Sequence, residues 1–171
     1  MHDVRLAALL LALSACGSPA GGGDAGVDTP GVDDDACQGA CSQTSVTAMF
    51  QVTRMLDRAY FGNTFDTNNL RIEAYAGAGA GCPTMSSPTP DYTLIVAEVS
   101  PDKPPNMATA NILDFEGDLL GGPLGLAATQ VRVMRTSYQA DTLVVLDVML
   151  TFSTGTVMGH IYATYCDSLD N

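Results

Sequence analysis

His160 is the only histidine beyond position 2, and it falls on the outward row of an alternating segment near the end of the chain. If segments 143–152 and 156–165 pair through a two-residue loop, His160 lies opposite Asp147. A histidine oriented by a carboxylate is two-thirds of a hydrolytic triad. No Gly-x-Ser-x-Gly or comparable nucleophile context accompanies it, so a surface cross-strand pair is the plainer reading. Asp114, Glu116 and Asp118 alternate at the end of another segment. Such a comb suits calcium or, with Glu73 or Glu98 from a neighbouring strand, an acid/base pair. The plainer alternative is a charged strand edge that resists aggregation. Asp33-Asp34-Asp35 lacks the alternating ligands, turn glycine and later glutamate of a calcium loop, and reads as a solvated charge run.

The elements that must position these groups have a period of two. Predicted strands are 46–53, 55–61, 70–75, 92–99, 108–115, 129–135, 143–152 and 156–165, rich in Val, Thr, Ile and Tyr. Turn formers at 62–63, 76–90, 101–105 and 117–125 separate them, and only 107–120 fits a helical period as well as a strand. Eight short strands predict an all-β domain over 37–171, a single antiparallel β-sandwich with a small β-barrel as the alternative. In the last hairpin, Val144, Leu146, Val148, Leu150 and Phe152 form one apolar row, and Val157, Gly159, Ile161, Ala163 and Tyr165 form the other. For both rows to face one core, paired residues must sum to an odd number, which requires a two- or four-residue loop and excludes a three-residue loop with Gly155 in a bulge.

Ahead of this domain, 1–15 reads as a signal peptide: Arg5 supplies the positive charge, and the apolar run 6–13 is too short to span a bilayer. That run ends in Leu13-Ser14-Ala15-Cys16, which resembles the lipobox of bacterial lipoproteins. The resemblance implies cleavage after Ala15 and a lipidated Cys16, and Gly17 in place of Asp favours sorting to the outer membrane. Two or three acyl chains on one residue anchor stably. Residues 16–36 then form a Gly/Asp-rich tether with five Asp and no Lys or Arg after the cysteine, spanning about 25 Å as a random coil.

Lipidation of Cys16 leaves Cys37, Cys41, Cys82 and Cys166, an even set for two disulfides in an oxidising compartment. The preferred pairing joins Cys37 to Cys41 across one turn and Cys82 to Cys166, tying the Pro-rich loop 76–90 to the end of the last strand; the alternative joins Cys41 to Cys166 and Cys37 to Cys82. Zinc is disfavoured by the compartment, the lack of Cys-x-x-Cys and the single domain histidine. Of the formal charge of −12, the tether carries −5, leaving −7 on the folded part, which argues against nucleic acid or anionic lipid as partner. Loop 76–90 carries no phosphate fingerprint, and with no Trp and eleven Phe plus Tyr the supply of aromatic platforms for glycans is poor. Residues 41–166 resemble uncharacterised secreted lipoprotein domains, a likeness that supplies no functional residues. The expectation is an exported, lipid-anchored envelope protein whose β domain binds a protein or polymer, or serves structurally, without catalysis, cofactor or metal. The competing reading is a hydrolase or calcium-assisted binder using His160 or the Asp114, Glu116 and Asp118 carboxylates.

Overall fold

The computed structural model describes residues 39–65, 69–101 and 107–171, so the signal peptide, Cys16, the tether and Cys37 lie outside the described residues. In chain order the strands are β1 (Ser45–Met49), β2 (Thr53–Leu56), β3 (Arg58–Thr64), β4 (Asn69–Ala76), β5 (Tyr92–Val99), β6 (Thr109–Asp114), β7 (Gly125–Ala127), β8 (Gln130–Gln139), β9 (Leu143–Thr151) and β10 (Thr156–Tyr165). Single 3₁₀ turns, Gly39–Ser42 and Asp167–Leu169, flank them.

The β9–β10 hairpin forms as its two apolar rows require. The Phe152 N–H donates to the Gly155 carbonyl at 2.8 Å, leaving Ser153 and Thr154 as a two-residue loop. Val157 therefore pairs with Leu150, Ile161 with Leu146 and His160 with Asp147. Both apolar rows enter the core, where Val144, Leu146, Leu150, Val157, Ile161 and Ala163 are fully buried.

β10 is the spine of the sheet because its second edge is divided. Its first half pairs antiparallel with β1, from Ser45 opposite His160 to Met49 opposite Thr156, and its second half runs parallel to β3 at Thr164–Tyr60 and Tyr165–Phe61. β1 pairs on its far side with β2, so it sits as a wedge between β10 and the continuous β2–β3 segment. Gly159 permits this approach: its φ is +146°, and a Cβ there would meet the Ser45 carbonyl oxygen at 2.2 Å. Beyond β3 the sheet continues through β4, β5, β6 and β7, while β8 extends it past β9.

The all-β expectation holds, but the strands make one ten-stranded sheet, curled into an open half-barrel, rather than the two sheets of a sandwich, and the β10–β3 pair makes it mixed rather than purely antiparallel. The curl has local causes. The predicted strand 55–61 breaks at Asp57, whose N–H turns to the Tyr75 carbonyl, and the buried row passes from Leu56 to Ala59 and Phe61. The register shifts again beside Glu98, at φ +60°, so that Val96 and Val99 both face inward, and once more at Thr136. Such bulges add local twist and bend the strand that carries them. The ends of the sheet are also joined by only two residues: the Ala128 N–H donates to Ala110 on β6, and the Thr129 N–H to Thr151, the last residue of β9. The predicted strand 46–53 divides at a turn into β1 and the start of β2, and β7 has no counterpart in the predicted set.

On the outer face, cross-strand register places Met55, Thr47, Met158 and Met149 in one row across β2, β1, β10 and β9. The three methionines are 61%, 39% and 56% exposed, so hydropathy alone misplaces them.

Candidate functional site

His160 and Asp147 meet as register neighbours on the outer face, with Nδ1 2.8 Å from the carboxylate. The other ring nitrogen, Nε2, lies 3.0 Å from the Cys41 carbonyl oxygen. Each ring nitrogen thus faces a protein acceptor rather than a nucleophile, and no hydroxyl bonds to the ring among the described residues. The pair pins the chain entering β1 to the middle of β10.

The three carboxylates of the 114–118 comb do not converge. Asp114 is buried at the end of the inward row of β6, where its oxygens accept the N–H groups of Gly117 (2.6 Å), Leu119 (2.9 Å) and Leu120 (2.8 Å). For this residue the expected solvated strand edge gives way to a buried loop organiser, because a carboxylate can be buried when charge-assisted bonds replace its water. The loop it shapes inserts Leu119 and Leu120 into the core, helped by the positive φ of Gly117. Glu116 stays exposed. Asp118 pairs with Arg54 and accepts the Tyr92 hydroxyl at 2.7 Å, while Arg54 Nε donates to the same hydroxyl at 2.9 Å. The Tyr92 hydrogen bond, followed by Arg54, holds the Asp118 carboxyl below the usual range.

Glu98 sits at the β5 bulge, accepting the Asn69 side-chain amide at 2.6 Å. Glu73 is buried on the outer side of β4, bonded to Arg71 Nε (2.7 Å) and to the Tyr75 hydroxyl. Burial first, and then Glu73, raises the Tyr75 phenol; burial raises Tyr92, and the bond to Asp170 pushes Tyr165 up to about 12. A phenol of the unfolded chain ionises near 10, so the stability these groups contribute is complete below that pH and is lost as pH rises through the higher folded values. In an alkaline titration followed by tyrosine absorbance and circular dichroism, these three of the six tyrosines are expected to ionise only as the sheet unfolds. Six phenolates on an intact sheet would contradict this.

Loop 77–91 covers Glu73. It starts below β4 and is bound at Cys82 to Cys166, just beyond β10, with a Cα–Cα distance of 5.6 Å. The preferred Cys82–Cys166 pairing is thus the one formed, while Cys41 bonds no other described cysteine. Ser168 donates to the Pro83 carbonyl, and Arg58 Nη1 to the Ala78 carbonyl at 2.6 Å.

On the other side of β3 the fork between β10 and β2–β3 opens a notch. Thr44 closes its floor: its hydroxyl donates to the Tyr162 carbonyl (2.9 Å) and accepts the Tyr162 N–H (3.0 Å), standing in for a missing strand partner. The notch above holds about 380 Å³ and is lined by Gln43, Asp57, Arg58, Tyr60, Tyr162 and Thr164. Tyr60 also walls a smaller cavity of about 90 Å³, formed with Tyr75 beneath loop 77–91. The side chains of Gln43, Asp57, Tyr60, Tyr162 and Thr164 make no hydrogen bond to another described residue. Sequence reading missed this group. Its one signal is the outward placement of Arg58 and Tyr60 between the inward Ala59 and Phe61.

No protein-family model matches the sequence, and no curated protein or solved structure matches it. Fold and site define an acidic all-β domain with an open polar notch beside a disulfide-pinned loop. Among the described residues, no helix is long and apolar enough to cross a membrane.

Proposed function

We propose that the chain is an exported lipoprotein, held through Cys16 at the bacterial outer membrane, whose β domain is a non-catalytic binding or structural module for a protein or polymer at the cell surface. Leu13-Ser14-Ala15-Cys16 supports the placement. The observation that carries the non-catalytic reading is the engagement of His160: both ring nitrogens face acceptors, and Asp114, Glu116 and Asp118 stand apart in separate surroundings. A catalytic site needs convergent groups with a nucleophile in reach of a base.

Mass spectrometry of the mature protein is expected to show the acyl mass on Cys16, and a soluble protein with an unmodified Cys16 thiol would overturn the placement. For the domain, the expectation is no turnover of ester, peptide or glycoside substrates. Turnover abolished by His160→Ala, in a variant that melts as the parent does, would overturn the non-catalytic reading.

A further inference from the structure

We propose that the notch between β3 and β10 is a binding site for an uncharged oligosaccharide, with Tyr60 as the ring on which a sugar stacks. This names the ligand class of the module and rests on the binding reading above. The buried or clustered carboxylates elsewhere in the domain are occupied: Asp114 by three N–H donors, Asp118 by Arg54 and Tyr92, Glu73 by Arg71 and Tyr75. In the notch, Gln43, Asp57 and Thr164 retain their hydrogen-bonding capacity. They supply an amide that both donates and accepts, a pure acceptor and a hydroxyl, a mixture that matches groups which are themselves donor and acceptor. Sugar hydroxyls have that character.

Charge narrows the class further. Asp57 and Arg58 bring one charge of each sign to the same wall, so the site offers no net field for an ion, and the acidic domain repels polyanions. Two tyrosine rings provide flat apolar surface with a polar tip, suited to a ligand that alternates C–H faces with hydroxyls. At about 380 Å³ the notch reaches the size of small-ligand sites; the Tyr60 ring packs against Tyr75 on its other side, 6.2 Å between centroids, which holds it in place for a sugar on the notch side. A peptide adding as a strand would need an open backbone edge. At the fork, Thr44 has taken the Tyr162 N–H and carbonyl.

The test uses the mature, lipidated protein in detergent, titrated with neutral oligosaccharides of glucose, mannose, galactose and N-acetylglucosamine. With no Trp in the chain, intrinsic emission comes from the six tyrosines, two of which, Tyr60 and Tyr162, line the notch. At least one series is expected to bind saturably. Tyr60→Ala should weaken it tenfold or more, Tyr60→Phe should keep most of the affinity, and Gln43→Ala, an exposed change that leaves the fold untouched, should weaken it severalfold. No binding by any series, or binding indifferent to both Tyr60→Ala and Gln43→Ala, would overturn the proposal. So would saturable binding of an unstructured peptide library that Tyr60→Ala abolishes. Those failures leave the lipid-anchored module reading intact. Shortened sugar products that disappear with Tyr60→Ala would support the site and overturn the non-catalytic reading instead.

Discussion

Reduction of the Cys82–Cys166 bridge is expected to lower the unfolding free energy by about 2 to 5 kcal/mol. The bridge closes a segment with a sequence separation of 84, for which loop-closure entropy in the unfolded chain gives about 4 to 5 kcal/mol. The folded state should feel the loss locally. Without the bridge, loop 77–91 keeps the Arg58 bond to Ala78 and the Ser168 bond to Pro83, both near its N-terminal half. The sheet should therefore survive reduction, with limited proteolysis appearing first within the loop. Urea melts of the parent, the reduced protein and the Cys82→Ala/Cys166→Ala double variant provide the measurement. A double variant within about 0.5 kcal/mol of the parent would show that the bridge carries no such role.

Asp114→Ala is expected to cost about 3 to 5 kcal/mol. Hydrogen bonds to a charged acceptor contribute about 1.5 to 3 kcal/mol each, and the full sum is not lost because the loop can relax toward water. Three N–H groups lose their acceptor at once, two of them on the buried Leu119 and Leu120. Those leucines close the core beside the β1–β2 turn, so a loosened loop also exposes apolar surface. Asp114→Asn keeps one carbonyl oxygen and should fall between parent and alanine variant. Glu116→Ala, two residues further on in the loop after β6 and exposed, should melt as the parent does. Equal losses for Asp114→Ala and Glu116→Ala would refute the buried role.

Both effects come from contacts that the sequence only partly announces. Composition and alternation determine by themselves that this domain is all-β, because a period of two admits no buried stripe on a helix. The same logic shaped the last hairpin: two apolar rows must share one core, which left only a two- or four-residue loop, and the structure takes the two-residue one that sets His160 opposite Asp147. Tertiary structure decided the rest. Alternation is satisfied equally by a sandwich and by one curled sheet, since each buries every second residue; the choice lay in the kink at Asp57 and the bulges at Glu98 and Thr136, each a single-residue shift invisible in hydropathy. Asp114 and Asp118 are chemically identical in sequence, yet one faces backbone N–H groups indoors and the other an arginine outside. Met55 is apolar yet lies on the outer face, where Met149 and Met158 already stood by the alternation of the last hairpin. The notch arises only because β1, inserted as a wedge, holds β10 and β3 apart, and a gap between strands distant in sequence leaves no local pattern to read.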